Sequence, residues 1–150
     1  GAPAILFQFQ NSLHHGWLAV SNTEADGKPV LVASRLPILH KAVLAACDSL
    51  DGQTDGLLAD PRLCRFDPKN IQCRADVKDV SACLTSSEVK AIARFYEGPR
   101  DPATGERLTV GGVQYGSELA WAGVFVPESE DKPIFSTIIL KNSVGGVQSA

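Results

Sequence analysis

Two of the four cysteines in this chain bracket a loop crowded with negative charge, CDSLDGQTDGLLADPRLC at residues 47–64. A covalent bridge across such a stretch would force the backbone to double back within a few turns. That excludes a continuous helix or strand through it. Four cysteines, Cys47, Cys64, Cys73 and Cys83, allow three pairings, and the sequence by itself does not choose among them. Loop closure costs least between near neighbours, so Cys47–Cys64 and Cys73–Cys83 are the expected bridges. Each would stabilise the fold by about 2–4 kcal/mol. No C-x-x-C pair occurs, and all three histidines precede the first cysteine by at least seven positions, which leaves a zinc site poorly supported. Bridged cysteines imply a secreted or periplasmic location.

The chain has 150 residues, 44% of them hydrophobic and 21% charged, with a net charge of -3. That suits one globular domain, 1–150, with its own core. No basic run marks a nucleic-acid surface, and no apolar run reaches membrane-spanning length. Neither nucleic acid nor a membrane is an expected partner.

Apolar periodicity predicts three helices. Residues 4–20 carry Ile5, Phe9, Leu13 and Trp17 at a spacing of four, near one face. Residues 21–30 hold Gly27 and Pro29 and read as a loop. A second helix starts near Pro37, buries Leu39, Val43 and Ala46, and runs into Cys47. The third opens on a capping box, Thr85 to Glu88, buries Val89, Ile92 and Phe95 or Tyr96, and stops at Gly98-Pro99. Asp60-Pro61 and Asp67-Pro68 break up the stretch between the second and third helices. Residues 97–118 suit a short hairpin or an irregular surface loop, 121–126 are apolar again, and 134–140 suit a strand or a helix. The expected fold is mainly α, with long irregular loops, few short strands and two bridges. Such a domain is an insertion or cap rather than a regular bundle.

Three carboxylates so close repel one another unless a cation intervenes. Asp51, Gln53, Asp55 and Leu57 stand at positions one, three, five and seven of an EF-hand register, with Gly56 at position six. The register fails at position twelve, which is Arg62. Asp48 is the obvious replacement acid. The expected ligands of a structural Ca2+ are therefore side-chain oxygens of Asp48, Asp51 and Asp55, with backbone carbonyls of Gln53 and Leu57; the Gln53 side chain is a further possible donor. Magnesium suits the loop less well, because it demands a tight octahedron and keeps its waters. The bland alternative is a plain polar turn, in which Asp-Gly pairs are common.

No Gly-x-Ser-x-Gly elbow occurs, and no carboxylate pair announces itself. His14, His15 and His40 read as surface or packing residues. Gly111-Gly112 is too short for a phosphate loop. A complete catalytic set is not expected within these residues. Trp121 and Phe125 are the aromatic side chains able to form a wall for a bound ring, although core packing is the commoner fate of such residues.

Several segments together resemble the tannase and feruloyl esterase family of α/β-hydrolases: CDSLDGQTDGLLADPRLCRFDP at 47–68, IQC at 71–73, CLTSSEVKAIARFYEGP at 83–99 and YGSELAW at 115–121. GAPA at 1–4 resembles the turn that closes a hydrolase core strand just after the nucleophile. The resemblance implies a lid domain inserted into an α/β core. It implies a calcium held at Asp48, Asp51, Gln53, Asp55 and Leu57, and the same two bridges. It places the family's serine before Gly1 and its acid and histidine beyond Ala150. The expected role is the lid of a secreted ester hydrolase acting on aromatic esters of feruloyl, galloyl or related phenolic or terephthalate type, with the α/β core of the parent chain as partner. Separated from that core, a lid would expose an apolar face and self-associate. The competing reading is a free-standing calcium-dependent binding module without catalysis.

Overall fold

The computed structural model describes residues 4–132, with side chains from residue 9 onward. The expected element at 134–140 lies outside them. Three α-helices carry the fold: α1, Ala4–Ser21; α2, Leu36–Cys47; and α3, Ser86–Glu97. Short 3-10 turns at Ala33–Arg35, Asp48–Asp51, Pro61–Leu63, Pro68–Ile71 and Glu118–Trp121 join them. Among the described residues, strand pairing is confined to isolated bridges: Thr23 with Pro29, Gln72 with Leu84, Arg100 with Arg107, and Ala122 with Val126. The chain is mainly helical, as its periodicity predicts.

Helix α3 follows its sequence signals closely. The Thr85 hydroxyl accepts from the Glu88 N–H at 3.2 Å, and Glu88 Oε2 accepts from the Thr85 N–H at 2.7 Å. This is the capping box, and it satisfies two backbone donors that a helix N-terminus leaves open. Val89, Ile92 and Phe95 are buried, while Tyr96 is half-buried. At the far end, the carbonyls of Phe95 and Tyr96 accept from Val113 N at 3.2 Å and Gly112 N at 3.1 Å. A Cβ on residue 112 would stand 1.7 Å from the Phe95 carbonyl oxygen, so only glycine fits there. Gly111-Gly112, unexplained by sequence, sits where the chain crosses the end of α3.

Two predicted faces need correction. In α1, Phe9 is 68% exposed, whereas Leu18 and Ala19 are buried. A spacing of four advances about 40° per step beyond a full turn, so Ile5, Phe9, Leu13 and Trp17 spread over about 120°. Among the described side chains of α1, the buried ones lie toward its C-terminus. There the Trp17 indole N–H donates to the Arg94 carbonyl at 2.7 Å, and the Arg94 guanidinium lies 4.6 Å from the Trp17 ring centroid. In α2 the buried face is Leu36, Leu39, Val43 and Cys47, and Ala46 is exposed. The bridge from Cys47 draws that position inward.

Cys47 bonds to Cys64 and Cys73 to Cys83. The first bridge is buried and enters the same core as Leu31, Leu39, Val43, Leu84, Ile92, Phe95, Trp121 and Val126. The second ties the segment before α3 to its own start, where Cys73 N donates to Leu84 O at 2.7 Å. Arg35 links the two regions. Its Nε donates to Glu88 Oε1 at 2.6 Å, and its Nη2 donates to Glu88 Oε2 at 3.1 Å and to the Cys83 carbonyl. One guanidinium thus spans the start of α2, the start of α3 and the second bridge.

Candidate functional site

The aspartate loop leaves α2 through the 3-10 turn Asp48–Asp51, and its two sharpest bends fall at Gly52, φ 89°, and Gly56, φ 81°. These are left-handed conformations, which glycine adopts without a Cβ clash. Asp51 Oδ1 accepts from Gln53 N at 3.0 Å, and Asp55 Oδ1 accepts from Leu57 N at 3.0 Å. That two-residue pattern recurs at Asp26, Asp60, Asp67 and Asp79 and is ordinary turn chemistry. What sets this loop apart is a pair of bonds across it. Both Asp48 oxygens accept from Gly56 N, at 3.0 and 3.2 Å, and Asp51 Oδ2 accepts from Ala59 N at 3.2 Å. Asp48 is buried, and Asp51, Gln53, Asp55 and Leu57 are exposed.

No Lys, Arg or His forms an ion pair with Asp48, Asp51 or Asp55 among the described residues. The neighbouring Asp60 differs. The side chain of Arg62 hydrogen-bonds to it at 2.7 Å and holds its carboxyl below the usual carboxylate range. The three loop acids therefore keep unanswered charge, and each keeps lone pairs beyond those its backbone donors use. That donor chemistry fits a hard cation. The fit does not extend to convergence: among the described residues no three acidic, histidine or cysteine side chains are gathered to hold a metal.

Facing the loop is the turn at 114–118. Gly116, φ 88°, has its open side against Leu58, whose Cδ1 would lie 3.4 Å from an added Cβ. The Tyr115 hydroxyl donates to the Phe66 carbonyl at 3.0 Å. Leu57, Leu58 and Pro61 on one side and Gln114 and Tyr115 on the other line an open groove.

The two aromatic residues singled out from sequence have different surroundings. Trp121 is 1% exposed. Its ring packs 5.5 Å from Phe95 and 5.6 Å from Tyr96, and its N–H donates to Ser117 Oγ at 3.0 Å. It is a core residue with no ring face open to solvent. Phe125 is half-buried, edge-on to His15 at 5.1 Å. The peptide N–H groups of Val124, Phe125 and Val126 all donate to the Trp121 carbonyl, so Trp121 anchors the turn that presents Phe125.

A polar cluster that sequence reasoning missed lies beneath this turn. Glu118 is 0% exposed. Its Oε2 lies 2.7 Å from His40 Nδ1, and its Oε1 accepts from the Tyr96 hydroxyl at 2.7 Å and from Gly116 N at 2.8 Å. Burial, and then the Glu118 charge, push the Tyr96 hydroxyl far above the ordinary tyrosine range, so it stays a donor. His40 is thus a bonded partner rather than a plain surface residue. The three side chains are 22 and 78 positions apart from one another along Glu118's bonds, and no local pattern announces them. His14, on α1, is held below the usual histidine range by burial and then by the adjacent His15.

Among the described residues no helix is long and apolar enough to cross a membrane. A family model described as tannase and feruloyl esterase matches residues 1–144. An uncharacterized esterase of Xanthomonas campestris pv. campestris is 43% identical over 79 residues, 53% of this chain and 13% of its own length. A probable feruloyl esterase B of Aspergillus clavatus is 34% identical over 128 residues, 83% of this chain and 23% of its own. The crystal structure of feruloyl esterase B from Aspergillus oryzae superposes with a TM-score of 0.67 at 24% identity, over 91% of this chain and 26% of that one. An esterase from the same organism gives 0.68 at 21% identity, over 90% and 26%. The chain spans less than a quarter of the length of the two curated relatives named here. With a family match over nearly its whole length, the chain belongs to the tannase and feruloyl esterase family.

Proposed function

We propose that residues 1–150 form the lid of a secreted or periplasmic carboxylic ester hydrolase, covering a serine active site carried by an α/β core and helping to bind aromatic esters. The observation that carries this reading is the family match over residues 1–144 by a chain that corresponds to only a small part of each named relative. The helical, twice-bridged architecture supports it: a cap must hold its shape over a site without a sheet of its own, and covalent bridges compensate for that. Phe125 is half-buried and is held by the turn on Trp121. It is the residue proposed to touch the aromatic acid. Ester hydrolysis measured on the longer protein and on residues 1–150 alone tests the assignment. Turnover of phenolic esters by the longer protein and none by the shorter is expected; turnover by residues 1–150 alone would overturn it. Phe125→Ala in the longer protein is expected to raise KM for aromatic esters with kcat little changed.

The loop is proposed to hold a structural calcium through Asp48, Asp51 and Asp55 and the carbonyls of Gln53 and Leu57. Its unanswered charge and its donor types support this. A bound cation would offset the repulsion among the three acids and fix the loop; it would do no chemistry on substrate. Titration with calcium after chelation is expected to release heat and to raise Tm. At a hundredfold excess over Kd the gain is about 2.7 kcal/mol. No heat and no rise in Tm would remove the metal from the account. Asp55→Asn should weaken the response at least tenfold.

A further inference from the structure

Among the described residues Glu118 is the most deeply buried acid, 0% exposed against 5% for Glu88 and 8% for Asp48. An apolar side chain of similar volume would fill the same space at lower cost, because a carboxyl group loses its water on burial. Packing therefore does not account for this residue. Its contacts do. Oε1 accepts from the Tyr96 hydroxyl of α3 at 2.7 Å and from Gly116 N at 2.8 Å, and Oε2 lies 2.7 Å from His40 Nδ1 of α2. One side chain thus ties the turn at 114–118 to two helices. A buried polar network whose members are all bonded fixes a single arrangement, where apolar contacts alone would allow several.

What the tie fixes lies just beyond it. Glu118 opens the 3-10 turn Glu118–Trp121, which packs against α2. Ser117 Oγ accepts from the Trp121 indole N–H at 3.0 Å. The Trp121 carbonyl in turn accepts from the N–H groups of Val124, Phe125 and Val126 at 3.1, 2.9 and 2.9 Å. Leu119, Ala120, Ala122, Gly123 and Val124 are exposed, so little else in this stretch is held by the core. The next backbone tie to another element is Ala33 N donating to the Pro127 carbonyl at 2.8 Å. Phe125 hangs between that bond and the Glu118–Trp121 turn.

We infer that Glu118 is a positioning residue: it fixes the turn that carries Phe125, and so sets where that ring meets the aromatic part of an ester. With no exposed surface of its own, Glu118 touches no ligand and acts through Trp121 and Phe125. The inference rests on the lid reading proposed above.

The test is steady-state kinetics of the longer protein on the methyl esters of ferulic and gallic acid. Glu118→Ala is expected to raise KM about two- to tenfold, the range for a lost aromatic contact, with kcat little changed. That split marks lost binding rather than lost chemistry. Combined with Phe125→Ala, it should raise KM no further than Phe125→Ala does alone, since both remove the same contact. Glu118→Gln keeps an oxygen that can serve Tyr96 and Gly116 as Oε1 does, so it should recover most of the wild-type KM. A folded Glu118→Ala variant with wild-type KM, a fall in kcat alone, or effects of the two alanine variants that multiply would each overturn the positioning role. Should Glu118→Ala fail to fold, Tyr96→Phe decides, because it removes only one of the three bonds. A raised KM that does not multiply with that of Phe125→Ala supports the role, and a wild-type KM overturns it. Phe125→Ala by itself separates this inference from the reading beneath it. If that variant leaves KM unchanged, or the longer protein turns over neither ester, the aromatic wall falls and the positioning role with it. If Phe125→Ala raises KM and Glu118→Ala does not, the wall stands and only the role of Glu118 is lost.

Discussion

Trp121→Ala is expected to lower the stability of the protein by about 3–5 kcal/mol, the range for deleting a fully buried large aromatic side chain. Trp121 is 1% exposed and meets Phe95 and Tyr96 edge-on or tilted at 5.5–5.6 Å. Truncation removes those contacts and opens a void in the middle of the core. It also strips Ser117 Oγ of the indole N–H. Urea unfolding checks the magnitude. Trp121→Phe keeps most of the ring volume and loses only the N–H donor and part of the area, so it should cost less than half as much. A loss below about 1 kcal/mol for the alanine variant would show that the ring is held loosely, and the core assignment would have to be given up. The same variant bears on function: a change in KM that Trp121→Phe does not share would come from the displaced Phe125 turn.

Arg35→Ala is expected to cost about 3–5 kcal/mol, because it breaks a largely buried charge pair by removing one partner. Arg35 and Glu88 side chains are 15% and 6% exposed, and the contact is a two-pronged guanidinium–carboxylate pair with a further bond to the Cys83 carbonyl. Removing the guanidinium leaves the Glu88 charge with the Thr85 N–H as its remaining donor. Lysine offers a point charge in place of a planar fork, so Arg35→Lys should recover only part of the loss. The diagnostic measurement is a double-mutant cycle. Arg35→Ala combined with Glu88→Gln should be less destabilised than the sum of the two single variants, since the unpaired charge is gone. Strict additivity would show that the pair does not act as a unit.

These two positions also show how differently the sequence speaks about its own residues. The capping box at Thr85 and Glu88 is legible because both of its partners lie within four residues. The second role of Glu88, as the acceptor for Arg35, is not, because that partner is 53 positions away. Ala46 is expected in the buried stripe of α2, and Phe9 on one face with Ile5, Leu13 and Trp17, yet both are exposed, because a repeat of three or four fixes a helical face only approximately. Which part of that face meets a neighbour depends on where α3 and the bridge from Cys47 lie.

Local chemistry, then, was written in the chain: three helices from apolar spacing and end signals, turns from Asp-Gly and Asp-Pro, two near-neighbour bridges from the cost of closing long loops, and kinship from a dense run of such features. Each of these rests on interactions between residues close in sequence, where the backbone itself sets the geometry. The Glu118 cluster, the Arg35 clamp, the glycines crossing the end of α3 and the separation of Trp121 from Phe125 were decided by the tertiary structure alone. They join residues tens of positions apart, and burial, which gives each of them its energy, is a property of the assembled core.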